Sequence, residues 1–328
     1  MGPCWTGRHQ PAASILAANY DAGDAAFAHG NVSSMELYAD AAGLIERSAA
    51  AFIKGIPENP VDDGFFGPAS VSWRVSGDVA APVAGLRALM IQALHPLAMA
   101  GVDQHSDWRA DPVGRLAATS SYLATITFGE RGAAERAAAR VRRIHQRVTG
   151  VDQETSEPYA AGDPALLLWV HAALVDSNIA AREQFGNPLS PDDADSYVEE
   201  MVVAAELVGV PADLVPDSVT ALDRYIAGVR PRLLCTAAAS ESMAYLLDPP
   251  GLDPEVAEIW QDIREATLIS LPTWASQMYG YSVPELAAAR REEIRQALGV
   301  LDAVFLGEPG VLEARQRITL RMRTAVRV

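Results

Sequence analysis

Cysteine is nearly missing from this sequence. Only Cys4 and Cys235 occur in 328 residues, and neither has a second cysteine at CxxC spacing. That excludes a disulfide framework and favours a reducing compartment. Cys235, in RLLCTAAAS, reads as a small packed hydrophobe. Positive charge is also scarce: 26 Lys and Arg face 42 Asp and Glu, for a formal net charge of −16. So acidic a chain repels phosphate backbones and anionic headgroups, so neither nucleic acid nor a membrane surface is expected as a partner.

Long apolar runs are lacking too. The longest, VAAPVAGLRALMIQALHPLAMAGV, is interrupted by Pro82, Arg87, His95 and Pro96 and reads as buried helix rather than a membrane span. No apolar run follows a basic start, so no secretory leader is expected and the cytoplasm is the expected location. The start, MGPCWTGRHQ, meets the loose myristoylation pattern at Gly2 and Thr6, but no polybasic segment supplies a second anchoring signal. No stretch alternates with period two, and HExxH, GxSxG, the P-loop and GxGxxG are all absent. Helical di-iron sites use Glu-x-x-His. The residues three before the six histidines are Thr6, Ala26, Gln92, Val102, Arg142 and Leu168, which excludes that site.

Helical spacing is what remains. Apolar residues make up 49% and charged residues 21%, the balance of a globular chain. The expectation is an all-α fold: an arm over 1–32, then one helical domain over 33–328. Helices are expected from Ser33 or Ser34 to Lys54, over 82–102, 112–128, 131–149 and 163–185, within SPDDADSYVEEMVVAAELVGV (190–210), then near 217–229, 236–247, 255–270, 284–306 and 310–324. Asp-Pro and Ser-Pro pairs mark several of the starts. GIPENPVDDGFFGPAS is a turn-rich loop. His95 before Pro96 marks a kink or helix end, and Asp103, His105 and Asp107 sit at a helix end, where capping explains them.

On 131–149, Ala138, Val141, His145 and Val148 form one inward stripe, bordered by Arg142. On 163–185, His171 lies among Leu167, Leu168, Leu174 and Val175. On 112–128, Arg115, Ala118, Thr119, Tyr122 and Ile126 share a face. Core histidines satisfied by carbonyls and a solvated arginine would account for each of these alone. A flat apolar ring whose metal takes imidazole and whose carboxylates take arginine would satisfy them together, and that is haem.

FGPASVSWRV, QALHPLAMAGVDQHSDWRADPVGRLAATSSYLATITFG, VRRIHQRVTG and GDPALLLWVHAALVDSNIAAREQFGNPLSPDDADSYVEEM, in that order, resemble the oxygenase family of latex-clearing protein (rubber oxygenase) and MpaB. The resemblance spans about 65–210; the C-terminal third reads only as helices. It implies a helical, globin-like core holding one haem b. The family's Arg-x-x-His helix falls on Arg142 and His145, which makes His145 the proximal iron ligand. Its Arg-x-x-x-Thr pair falls on Arg115 and Thr119 beside the haem, and a further histidine on His171 in the pocket. Arg74 and Arg109 are secondary candidates for propionate partners. Two positions depart from the rubber-cleaving members: Ala118 replaces a lysine that can reach the iron, and Thr149 replaces a basic residue. They point to a different distal site and away from rubber as substrate. The resemblance thus implies a haem oxygenase taking a small apolar substrate, isoprenoid-like or aromatic, with dioxygen or a peroxide; a homo-oligomer is compatible with it. A haem carrier or sensor without turnover, or a metal-free ligand-binding protein, uses the same scaffold.

Overall fold

The computed structural model describes residues 56–57, 60–106, 108–109, 112–249, 254–282, 288–307 and 319. The expected arm over 1–32 and the helix ending at Lys54 lie outside the described residues, as does nearly all of 310–324. The described chain is one all-α domain, 71% helical with twelve helices. They are α1 (Val71–Ser76), α2 (Ala81–Ala93), α3 (Pro96–His105), α4 (Pro112–Phe128), α5 (Arg131–His145), α6 (Pro164–Phe185), α7 (Pro191–Val208), α8 (Val219–Val229), α9 (Ala237–Leu247), α10 (Pro254–Ser270), α11 (Thr273–Met278) and α12 (Ala288–Gly307). Between α5 and α6 lies a two-stranded antiparallel hairpin, β1 (Thr149–Val151) and β2 (Pro158–Ala160).

The centre is the pair α2 and α6, the most extensive helix contact in the molecule. Both are rich in apolar residues, as helices at the centre of a core are. One side of the pair packs against α9, α10, α11 and α12 through Met90, Leu94, Phe185, Met243, Ile263 and Ile294. The other side of α6 packs against α7 and α8 through Ala172, Val175, Tyr197, Val198 and Leu222. Arg87 lies inside this core, 3% exposed. Its guanidinium donates to Asp176 Oδ2 at 2.6 Å, Ser177 Oγ at 2.7 Å and Ser270 O at 2.9 Å, tying α2 to α6 and to the end of α10. By length and composition α6 could cross a membrane; half of its most apolar window is buried inside the protein.

The single helix expected over 82–102 is two. The chain bends by 104° between α2 and α3, because Pro96 cannot continue the hydrogen-bond ladder and instead occupies the first turn of α3. The helix expected over 131–149 stops at His145, so Val148 leaves the inward stripe for a turn and Thr149 begins β1. Neither strand was expected, and at three residues each they are too short to show alternation.

His95, at the bend, is buried, and its Nδ1 has no hydrogen-bond partner. Burial, helped by nearby Arg232, pushes its pKa down to about 4 from 6.5. Between those values the unfolded chain takes up a proton that the folded chain refuses. Stability is therefore full above pH 6.5 and is lost as pH falls toward 4, on the order of 3 kcal/mol from this group. Urea unfolding at pH 7 and pH 4.5 should show His95→Gln losing less stability on acidification than wild type; equal losses would rule out this assignment.

Candidate functional site

α4 and α5 form an antiparallel helical hairpin closed by two residues. Ile126 packs with Ala134 and Ala138, and Tyr122 with the same cluster. This register brings the start of α4, with Arg115 and Thr119, level with the last turn of α5, with Arg142 and His145. The α4–α5 pair leans on α1 and α7. Trp73 of α1 meets Phe128 edge-on at 5.2 Å, and Glu200 of α7 accepts from Val71 N and Ser72 N at 3.0 and 2.7 Å, capping α1.

α5 and α6 come together at Gly209, just past α7. Its backbone is left-handed, with φ 110°, which favours glycine. A Cβ there would lie 3.8 Å from Arg142 Cδ and 4.0 Å from Leu167 Cδ1. Leu167 is one turn before His171 on α6, so the Arg142 side chain, one turn before His145, lies toward the α6 face that carries His171.

His145 is half-buried, and its Nδ1 is enclosed with no hydrogen-bond partner. Burial lowers its pKa. It does so against the dipole of α5, whose C-terminal end would favour a cation. Desolvation is the larger effect. His171 is 9% exposed, and burial pushes it down to about 4. Two neutral imidazoles in apolar surroundings suit metal ligation far better than charged ones.

The arginines divide into two kinds. Arg74 is paired with Asp193 at 2.6 Å, and Arg109 with Asp103 and Glu241 at 2.7 and 2.6 Å. Both are already neutralised, which removes them as propionate partners. Arg115 and Arg142 are half-buried and, among the described residues, meet no carboxylate. Arg115 donates to Ser106 Oγ, and burial lowers its pKa. Arg142 donates to Leu207 O. Thr119 is exposed, and its hydroxyl turns back to Arg115 O at 3.1 Å, the ordinary bond of a helical threonine. Tyr122, noted in the sequence only as part of the α4 face, is half-buried, with its pKa raised to about 12 by burial and partly offset by Arg142.

A cavity of about 550 Å³ lies elsewhere, between Phe65, Phe66, Val202 and Val215. Glu199, Glu200, Asp213 and Asp217 also line it, and none of the expected site residues does. So many carboxylates would repel a dianionic cofactor. The corner around Arg142 and His145 fits haem on two counts: an imidazole with an unbonded ring nitrogen whose pKa burial lowers, and two guanidiniums that meet no carboxylate among the described residues. Among the described residues no three His, Cys, Asp or Glu gather as a metal site. An ion here would thus depend on a ring that brings its own ligands.

Over residues 73–303 the sequence matches the family described as "ER-bound oxygenase mpaB/B'/Rubber oxygenase, catalytic domain". The chain belongs to this oxygenase family. The match continues through most of the C-terminal third, where sequence reading alone found only helices. Comparison with curated proteins and with solved structures finds no match.

Histidine-selective ¹⁵N NMR of the haem-free protein should find both His145 and His171 titrating below 6.5, His171 near pH 4. An ordinary value for either would mean that its ring is solvated.

Proposed function

We propose that this protein is a haem b-dependent oxygenase acting on an apolar substrate, isoprenoid-like or aromatic, and that His145 would hold the iron. One observation supports this above the others: in a chain with 42 acidic residues, Arg115 and Arg142 stay half-buried with neutral oxygen partners, beside a neutral imidazole. Leaving buried cations without a counter-charge costs several kcal/mol, so the corner is suited to an anionic guest. Haem carries two carboxylates and an iron that takes imidazole.

In this reading Arg115 and Arg142 pair with the propionates, and His145 holds the ring from one side. His171, with Leu167 and Leu168, keeps water from the pocket. The Thr119 hydroxyl can turn from Arg115 O to donate to an oxygen atom in the cleft. When bound, the haem supplies iron able to activate dioxygen or a peroxide. The protein's own part is to orient the ring, exclude water and place donors. Ala118, where the rubber-cleaving members of the family have lysine, leaves the distal side without an ammonium group and favours a smaller apolar substrate than rubber.

Protein purified after haem supply should show a Soret band that is largely lost in His145→Ala. Arg115→Ala should hold haem about tenfold more weakly, the worth of one charge-assisted bond. Bound haem should also raise the unfolding temperature. A wild-type protein that stays colourless with excess haem overturns the proposal. A Soret band without oxygen uptake across isoprenoid and aromatic substrates would favour a carrier instead.

A further inference from the structure

The segment joining the His145 helix to the His171 helix is the hairpin β1–β2, and it is bolted to α3. Tyr159 of β2 is 6% exposed and packs with Leu97, Ala100, Val148 and Leu166. Its hydroxyl donates to Gln104 Oε1 at 2.9 Å, with Ala100 O at 3.4 Å. The Gln104 amide donates in turn to Val151 O at 3.0 Å. His105 Nε2 meets Thr149 O at 3.2 Å, and its ring stands edge-on to Tyr159 at 6.3 Å. Both ends of β1 are thus fastened to the last turn of α3. The approach is so close that a Cβ on Gly150 would lie 2.6 Å from the Tyr159 hydroxyl and 2.9 Å from Gln104 Oε1. Any side chain at this position would push the Tyr159 ring and the Gln104 amide aside.

From this anchor the backbone leads straight to the site. Val148 N donates to His145 O at 3.2 Å, and Ala161 N to Val148 O at 2.9 Å. Gly162 passes beside the His145 carbonyl, and Asp163 caps α6 by accepting from Ala165 N at 2.8 Å. Only three residues separate His145 from Thr149. A two-stranded ribbon this short has no stability of its own, so its position is set by what holds it.

We propose that Tyr159 is a positioning residue. Its hydroxyl, lodged between Gly150 and Gln104, pins the hairpin to α3 and so fixes the last turn of α5, with His145, against the first turns of α6. The functional meaning of this rests on His145 as the iron ligand; the mechanical claim does not.

The test uses the full chain and Tyr159→Phe, which removes one oxygen. In the haem-free protein, the His145 ¹⁵N signals should broaden or double while those of His95, at the opposite end of α3 from Gln104, stay unchanged. In the haem-loaded protein, release to excess apomyoglobin should be about tenfold faster, the usual effect of losing a group that orients a ligand. The unfolding temperature should fall by only a few degrees, which a purely structural role would not combine with a selective His145 response. Gly150→Ala should reproduce both effects. If Tyr159→Phe does not fold, Gln104→Leu, at an exposed position on α3, breaks the same link and must give the same result. Unchanged His145 signals with unchanged haem release overturn the proposal. If wild type binds no haem yet the His145 signals still respond, positioning stands and the iron-ligand reading falls.

Discussion

A cation buried in the middle of the molecule is the constraint on which the rest is built. Removing either partner of a buried ion pair costs on the order of 3–5 kcal/mol, because the other charge is stranded. Arg87 meets that condition from three directions at once, through Asp176, Ser177 and Ser270. Such a pair adds less net stability than well-packed apolar side chains would, but it accepts only one register. α2, α6 and the end of α10 therefore meet in one way. The face of α6 that carries Leu167 and His171 is aimed by that choice.

Low polarity then acts on every titratable group near the core, and the outcome depends on partners. His95, His145 and His171 are all pushed toward the neutral imidazole by burial. His95 lies at a backbone bend among packed side chains, whereas His145 closes α5 and His171 sits two turns inside α6. The arginines make the contrast sharper. Arg182 reaches Asp78 at 3.6 Å, and Arg290 reaches Asp262 and Glu265 at 2.7 and 2.6 Å. Among the described residues, Arg115 donates to a hydroxyl and Arg142 to a carbonyl. Arg295 is held in the same way, by Gln184 O, so what sets Arg142 apart is its place one turn before His145.

How much of this was legible in the sequence follows from contact range. α4 and α6 were expected within a residue of their observed bounds, because Asp-Pro starts and a sustained apolar period are local signals. Arg142 and His145 were readable as a pair because they are one turn apart on one helix. The stripe failed at Val148, where the chain leaves the helix for a hairpin whose strands are below the length at which period two shows. Contacts across the chain left no trace: Tyr159 and Gln104 are 55 residues apart, and Glu200 caps α1 from 128 residues away. The propionate candidates Arg74 and Arg109 failed for the same reason. Spacing shows that an arginine exists and says nothing of the aspartate that reaches it from another helix.

Much of the candidate site comes from helix ends, with His171, two turns inside α6, as an exception. Arg115 is in the first turns of α4, His145 closes α5, Gly209 follows α7, and Asp163 opens α6. Helix middles are committed to the core and cannot move without opening cavities. Ends can be re-aimed by a short connection, at the cost of needing something to hold that connection still. Here the holding falls to a six-residue ribbon and one tyrosine hydroxyl. The division explains how one scaffold can keep its imidazole while Ala118 and Thr149 differ from the rubber-cleaving pattern. Both positions are exposed, Ala118 on α4 and Thr149 at the start of β1, so a changed side chain at either leaves the Arg87-centred core untouched.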